Sequence, residues 1–314
     1  MSTEVSWRSD LNRNLVFVVV AVVTGTALAP GFAIGMLNQL VLFIWNFYDA
    51  TYARRHGGRP FTKHAVDGLY QFTTICPILS GMLGALLVGH LADRICRMHA
   101  ILVSQAFSVA GVVAGAVCVV ADSPELLIVG RLILGIQVGM GLCLMPIVIT
   151  ETAPTRIRGL LQGFGQAGIS FSVLVATILG LPQVLGRPVN WPLINLFICV
   201  AVVVSFAILP FVPETPRHLL LQQRRRRRAS VVPGVVDGAI DGDGGDNLDD
   251  VRRSLQFYRR RDDVDEELME MVDAQLKVEV ASGRQDFTVS ALFKDAKLRR
   301  PLVVACVLQV CIFL

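Results

Sequence analysis

Six long stretches of the sequence are almost free of charged residues, and no other feature constrains the fold as strongly. They are residues 14–36, 69–91, 99–121, 126–149, 160–183 and 190–212, and Arg131 is the one Asp, Glu, Lys or Arg in any of them. A helix of about 20 apolar residues is long enough to cross the hydrocarbon core of a bilayer. The sequence therefore predicts an all-α membrane protein built on a six-helix transmembrane bundle.

The charged residues divide the chain into regions. Residues 213–300 hold 34 of the 54 charged residues in the 314-residue chain, which excludes a single soluble globule. We expect residues 1–13 to form an N-terminal segment, 14–212 the bundle and 213–300 a long loop. Residues 301–314 begin a seventh apolar stretch that is too short to cross a bilayer. We therefore expect the chain to end inside a truncated seventh span.

The distribution of Lys and Arg predicts how the bundle is oriented. With the N-terminus placed inside, the inner segments carry 23 of these residues and the outer segments carry five. The 213–300 loop supplies 17 of the 23 and decides the balance. Because positively charged loops stay on the cytoplasmic side, we expect both the N-terminus and the long loop to be cytoplasmic.

The long loop contains two kinds of segment. Residues 224–250 begin with five arginines, continue into Gly- and Asp-rich sequence and are predicted to be disordered. Residues 249–281 carry apolar side chains three and four positions apart and are predicted to be helical. Ser230 follows the arginines closely enough to be a candidate phosphorylation site. The arginines could attract anionic lipid or serve only as a topology signal.

The fifth apolar stretch carries a stripe of polar residues. Gln162, Gln166, Ser170 and Thr177 are spaced by four, four and seven positions, which places them on one face of a helix. Such side chains either hydrogen-bond to a neighbouring helix or line a water-filled path. Four positions in register favour the path, and the packing interpretation stays open.

Pairs of glycines four residues apart predict close helix packing. They are Gly111 with Gly115, Gly135 with Gly139, and Gly159 with Gly163. Small residues at this spacing leave a groove in which a second helix can approach. The sequence therefore predicts a tight bundle.

Arg131 is a charge inside an apolar stretch, about six residues from its start. Placing an Arg at the centre of a membrane helix costs about 2.5–3.5 kcal/mol on insertion scales. Arg131 is therefore either an anchor whose side chain reaches the membrane surface or an inward-facing charge that contacts a neighbouring helix. The sequence does not decide between them.

Cysteine and histidine give no sign of a metal or disulfide framework. The seven cysteines are odd in number, form no C-x-x-C pair and lie mostly in apolar stretches, and the five histidines are scattered. We therefore predict no metal site and no cofactor. With no convergent nucleophile or carboxylate pair in the spans, we also predict that the protein is not an enzyme and does not bind nucleic acid.

Three short junctions concentrate carboxylates and arginines on one predicted face of the membrane. They are residues 89–97, 151–159 and 213–217. Opposite charges at helix ends can form ion pairs that hold this face closed. Exposed pairs contribute only about 0–1 kcal/mol each, which would suit a gate that opens in ordinary turnover.

The junctions resemble the signatures of the sugar-porter branch of the major facilitator superfamily, most closely the facilitative hexose transporters of animals. The P-E-[ST]-P-R motif is matched in full by residues 213–217, whereas Cys96 and Val148 replace a Gly and a Tyr of two other motifs. The further matches are Gly89, Asp93, Arg94, Arg97, Gly130, Arg131, Pro146, Glu151, Ala153, Pro154, Arg158, Gly159, Gln166, Gly168 and Ile169.

The resemblance implies a fold and a function. The chain would be the first half of a twelve-helix transporter that moves a hexose across the plasma membrane by alternating access. Gln166 and Ile169 would contact the sugar. The cytoplasmic gate would consist of Asp93, Arg94, Arg97, Glu151, Arg158, Glu214 and Arg217. Because the six stretches contain no Asp or Glu, movement is expected to be passive and not coupled to protons.

The same resemblance leaves a second function open. Most sugar-contacting residues of such transporters lie in the second half, which is not part of these 314 residues. The resemblance therefore implies that this chain alone does not transport. A non-transporting half-molecule that pairs with a full-length transporter is the alternative.

Overall fold

The computed structural model describes residues 12–57, 62–181, 183–186, 191–222 and 244–282, together with Val304. All regular structure in these residues is helical. The chain divides into two compact units, residues Met1–Val264 and Asp265–Leu314. The predicted seventh span, residues 301–314, lies outside the described residues apart from Val304.

The first unit contains the bundle and ten helices among its described residues. They are α1 (Arg13–Thr26), α2 (Leu28–Arg55), α3 (Lys63–Arg94), α4 (Arg97–Val117), α5 (Pro124–Thr152), α6 (Arg158–Leu179), α7 (Trp191–Ile194), α8 (Phe197–Ile208), α9 (Pro216–Gln222) and α10 (Gly244–Arg259). A 3₁₀ turn, Leu209–Phe211, follows α8. The second unit contains α11 (Asp265–Ser282).

Five helical segments of the described chain are long and apolar enough to cross a membrane. They are Arg13–Met36, Lys63–Ala92, Arg97–Val117, Pro124–Thr152 and Arg158–Leu179. A sixth span results if Phe197–Phe211 and Pro216–Gln222, which are bent by 60° at their break, are counted together. The all-helical multi-pass fold predicted from the sequence is thus confirmed, with five or six spans among the described residues.

The first and sixth stretches are less regular than predicted. The first is interrupted at Ala27 and continues as α2 to Arg55, well beyond residue 36. Arg54 and Arg55 lie in the last turn of α2, where their charge favours the helix C-terminus. The sixth stretch is divided between α7 and α8.

The glycine pairs behave differently from one another. A Cβ atom built on Gly139 in α5 would overlap the carbonyl oxygen of Gly81 in α3 and lie 2.7 Å from its carbonyl carbon. A Cβ atom built on Gly111 in α4 would lie 2.9 Å from the carbonyl oxygen of Gly130 in α5, which is also too close. By contrast, a Cβ on Gly159 or Gly163 would have no described atom within 4 Å. Close packing at that third pair was therefore predicted wrongly for the part of the chain that the structure describes, because no described helix approaches α6 there.

The loop prediction needs one correction. Helix α10 begins at Gly244, so residues 244–250 are helical and not disordered; Asp residues near a helix N-terminus favour that end of the helix dipole. The region predicted to be helical over 249–281 consists of two helices, because α10 ends at Arg259 and Arg260 adopts a left-handed conformation with φ 52°. Residues 223–243, including Ser230, lie outside the described residues.

Candidate transport gate at one end of the bundle

The three charged junctions meet at one end of the first unit, which we call the junction end. It comprises residues 95–98 between α3 and α4, residues 151–158 around the end of α5, and residues 213–217 before α9. The opposite end carries exposed ion pairs. Nη1 of Arg54 lies 2.8 Å from Oδ2 of Asp122, and Nη1 of Arg55 lies 2.6 Å from Oε1 of Glu125.

Glu214 links the third junction to the first. Its carboxylate accepts hydrogen bonds from the backbone N–H groups of Arg97, at 3.0 Å, and Met98, at 3.2 Å. These are orphan donors in the first turn of α4, and the N-cap residue Cys96 does not cap the helix with its side chain. Glu214 therefore supplies the cap from a distant part of the chain. Burial raises the pKa of its carboxyl above the ordinary value.

Arg97 links the first junction to the second. Its Nη2 lies 3.3 Å from Oε1 of Glu151, and the two side chains are only 9% and 11% exposed. Its Nη1 donates to the carbonyl of Ala92 at 2.6 Å. Glu151 also accepts a hydrogen bond from the hydroxyl of Thr215 at 2.7 Å. Arg97, Glu151 and Thr215 thus join all three junctions, and Thr215 was not among the predicted site residues.

Helix α10 closes over the same contacts. The buried hydroxyl of Tyr258 donates to the carbonyl of Pro213 at 2.7 Å, and Arg259 donates to the carbonyl of Thr152 at 2.9 Å. Ser254 donates to the carbonyl of Glu214. The sequence indicated an apolar helical face here, but nothing in it connected α10 to the junctions. Burial raises the pKa of Tyr258.

The remaining predicted gate residues are placed less tightly. Arg158 donates a long hydrogen bond of 3.5 Å to the carbonyl of Ala153 and lies near enough to Arg217 and Arg259 for the positive charges to repel. Arg158 forms no ion pair with a carboxylate of the described chain. Asp93 and Arg94 occupy the last turn of α3, and their side chains lie outside the described part of the structure.

The polar stripe of α6 separates into two parts. Gln162 donates to the carbonyl of Pro146 in α5 at 3.0 Å, as the packing interpretation requires. Ser170 and Thr177 donate to carbonyls of their own helix. Gln166 is exposed, and Ile169 is half-buried against the apolar core formed by α1, α4 and α5. Of the two glutamines in the stripe, Gln166 is the exposed one and Gln162 is half-buried.

Arg131 is buried deep in the bundle. Its side chain is 2% exposed, and Nη2 lies 3.8 Å from the sulfur of Met36 in α2. This burial excludes the surface-anchor interpretation, because an anchor places its guanidinium in the interface. Arg131 contacts a neighbouring helix, although its neighbour there is a thioether and not a carboxylate.

Gln137 is a buried polar residue that the sequence analysis did not single out. It is completely buried in α5, and neither its amide oxygen nor its nitrogen has a hydrogen-bond partner in the described structure. An unsatisfied buried amide costs about 1–3 kcal/mol.

We expect Gln137→Leu to raise the free energy of unfolding by about 1 kcal/mol or more, because it removes that unsatisfied group. Gln105→Leu is the comparison, since the amide nitrogen of Gln105 donates to the carbonyl of Gly25, whereas its amide oxygen has no partner in the described structure. Denaturant unfolding in micelles, followed by circular dichroism, measures both. A Gln137→Leu variant less stable than Gln105→Leu would contradict this assignment.

Comparison with known proteins identifies the family. The sequence model of the family described as "Sugar (and other) transporter" matches residues 17–242. The chain belongs to this family. The resemblance to the sugar-porter branch of the major facilitator superfamily is thereby confirmed.

Curated members of the family are similar over much of the chain. "Solute carrier family 2, facilitated glucose transporter member 9" of Homo sapiens is 32% identical over 222 residues, which are 71% of this chain and 41% of the relative. Member 3 of Ovis aries is 29% identical over 279 residues, which are 89% of this chain and 51% of the relative. The chain thus spans about half the length of these relatives.

Solved structures show the same fold. The xylose transporter XylE from E. coli, in a partially occluded inward open conformation, matches with a TM-score of 0.63 at 19% identity. The match covers 86% of this chain and 60% of that one. The helices described above therefore adopt the arrangement of the first part of a major facilitator transporter.

Proposed function

We propose that these residues form the first half of a hexose facilitator that works by alternating access, with the junction end as its gate. The observation that carries the proposal is the joining of the three junctions through Arg97, Glu151 and Glu214. Membership of the sugar transporter family and the facilitated glucose transporters among its relatives support the substrate class. We further propose that the junction end faces the cytoplasm and that the protein lies in the plasma membrane.

The burial of the Arg97–Glu151 pair shapes how such a gate would open. From the sequence these contacts were expected to be weak, exposed pairs, but both side chains are about nine-tenths buried. Removing one partner leaves the other charge buried and costs about 3–5 kcal/mol. Opening the gate is different, because water reaches both ions at once and hydration offsets the lost contact.

Passive movement fits the composition of the spans. The six predicted stretches contain no Asp or Glu, and a proton relay needs a titratable group along its path. We assign Gln166, which is exposed, and the neighbouring Ile169 to the sugar path. Phosphorylation of Ser230 and pairing with a full-length transporter remain predictions.

The test is hexose uptake by a chimera in which residues 1–300 precede the second half of a facilitated glucose transporter relative. We expect saturable uptake above that of an empty vector in cells that lack hexose transport. Uptake no greater than that of the vector, from a chimera that folds and reaches the cell surface, would contradict the proposal.

In the same chimera, Gln166→Leu should weaken sugar binding by about 1–3 kcal/mol, because a hydrogen-bonding group of the sugar loses its partner. The half-saturation concentration should rise about 5- to 150-fold. Gln162→Leu is the matched control, since that amide is already bonded to Pro146 and its loss should leave the concentration nearly unchanged. Equal effects of the two substitutions would show that the stripe serves helix packing.

A further inference from the structure

Three side chains with metal-binding chemistry converge at the junction end, although they are remote in sequence. They are the thiol of Cys96, the carboxylate of Glu214 and the imidazole of His218, and one ligand atom from each lies within 4.8 Å of the others. Cys96 precedes the first turn of α4, whereas Glu214 and His218 flank the start of α9. His218 is buried, at 6% exposed, whereas Cys96 and Glu214 are half-buried, so the cluster lies at the edge of the protein interior.

We propose that Cys96, Glu214 and His218 form a binding site for a divalent metal ion of the zinc class, although the scattered cysteines and histidines of the sequence predicted none. Thiolate, imidazole and carboxylate are the three ligand types that Zn²⁺ takes from proteins. Tetrahedral bonds of about 2.0–2.3 Å place ligand atoms about 3.5 Å apart, so a shift of about 1 Å brings the present arrangement to that geometry. Water would complete the coordination.

The groups around Glu214 hold its carboxylate in an orientation suited to binding a metal ion. Two backbone N–H groups of α4 donate to its oxygens, which orients the carboxylate as outer-shell hydrogen bonds do in metal sites. Each carboxylate oxygen has a second lone pair with which to bind a metal. The guanidinium of the neighbouring Arg97 contacts Glu151 and Ala92. Two further titratable groups lie close to Glu214, namely His99, whose Nδ1 is 3.7 Å from Oε1 of Glu214, and Tyr258.

A metal ion at this site would connect two segments of the junction end. The ion would connect the junction between α3 and α4 to the segment between the 3₁₀ turn and α9, which are joined already through Glu214. A metal bridge across these segments would hold the junction end together, and removing the ion would loosen it. This inference goes beyond the proposed function, and its test requires no transport.

The experiment uses the purified 314-residue chain in lipid nanodiscs, freed of metal with EDTA and titrated with Zn²⁺ and with Co²⁺. We expect Co²⁺ to produce a thiolate-to-cobalt charge-transfer band and Zn²⁺ to displace it. Cys96→Ser should abolish the band. His218→Gln should weaken Zn²⁺ binding by more than about 100-fold, since losing a ligand costs more than losing an outer-shell partner.

The matched controls are Cys143→Ser, at a half-buried thiol in α5, and His90→Gln, at an exposed imidazole in α3. Both should bind as the unaltered chain does. Unfolding midpoints measured in EDTA show whether each variant is folded. No charge-transfer band in the unaltered chain would overturn the proposal, as would a band that survives Cys96→Ser or an unchanged Zn²⁺ affinity in folded His218→Gln.

Discussion

Gly139→Ala is expected to destabilise the bundle by about 3 kcal/mol, at the upper end of the range for overpacked cores. The new methyl group would overlap the carbonyl oxygen of Gly81, which belongs to the backbone of α3 and not to a movable side chain. Helices α3 and α5 would therefore have to separate by about 1 Å, which weakens the dispersion contacts along their whole interface.

Gly163→Ala provides the control, because a Cβ there meets no described atom within 4 Å. Ala is favoured over Gly inside a helix by about 1 kcal/mol, so this variant should be as stable as the unaltered chain or more so. The two substitutions are chemically identical and should differ in sign. Denaturant unfolding in micelles tests this, and a Gly139→Ala variant as stable as Gly163→Ala would disprove the close approach of α3 and α5.

Arg97→Met is expected to cost about 3–5 kcal/mol of stability, since it leaves the buried carboxylate of Glu151 without its cation. Met keeps much of the apolar volume of the Arg stem, so the loss reports mainly on charge. The backbone N–H of residue 97 still donates to Glu214, which keeps the capped start of α4 intact.

Arg54→Met is the matched control, because Arg54 forms an ion pair with Asp122 in which both side chains are at least half exposed. Such pairs contribute about 0–1 kcal/mol. The double variant Arg97→Met with Glu151→Gln should recover part of the loss, because the uncompensated charge is gone. Equal costs for Arg97→Met and Arg54→Met would show that the burial of the junction pair has no energetic consequence.

The spans were predictable from the sequence because they depend on composition and length. In a bilayer every backbone polar group must be hydrogen-bonded within the segment. A long uncharged stretch that crosses the bilayer is therefore expected to be a helix. The same reasoning did not place the break at Ala27 or extend α2 to Arg55. The break has a local cause, because Pro30 has no N–H to donate to the carbonyl of Thr26. The same reasoning also missed the break after α10, where Arg260 takes a left-handed conformation that is uncommon for a residue with a Cβ.

The contacts at the junction end could not be predicted from the sequence. Motifs indicated that Arg97, Glu151 and Glu214 belong to one face, but which atoms meet depends on the tertiary arrangement of three junctions. The burial of Arg131 and the proximity of Cys96 to His218 also depend on the tertiary arrangement. Local sequence carries no signal for them, since the residues that surround each come from distant helices.

The most direct test of the central claim is counterflow in liposomes that contain the chimera of residues 1–300 with a relative's second half. Liposomes preloaded with unlabelled hexose are diluted into labelled hexose, with no pH difference across the membrane. A facilitator that works by alternating access predicts a transient accumulation of label above equilibrium, abolished when the preloaded sugar is omitted. Label that never exceeds equilibrium, or that accumulates only when a pH gradient is imposed, would contradict the account.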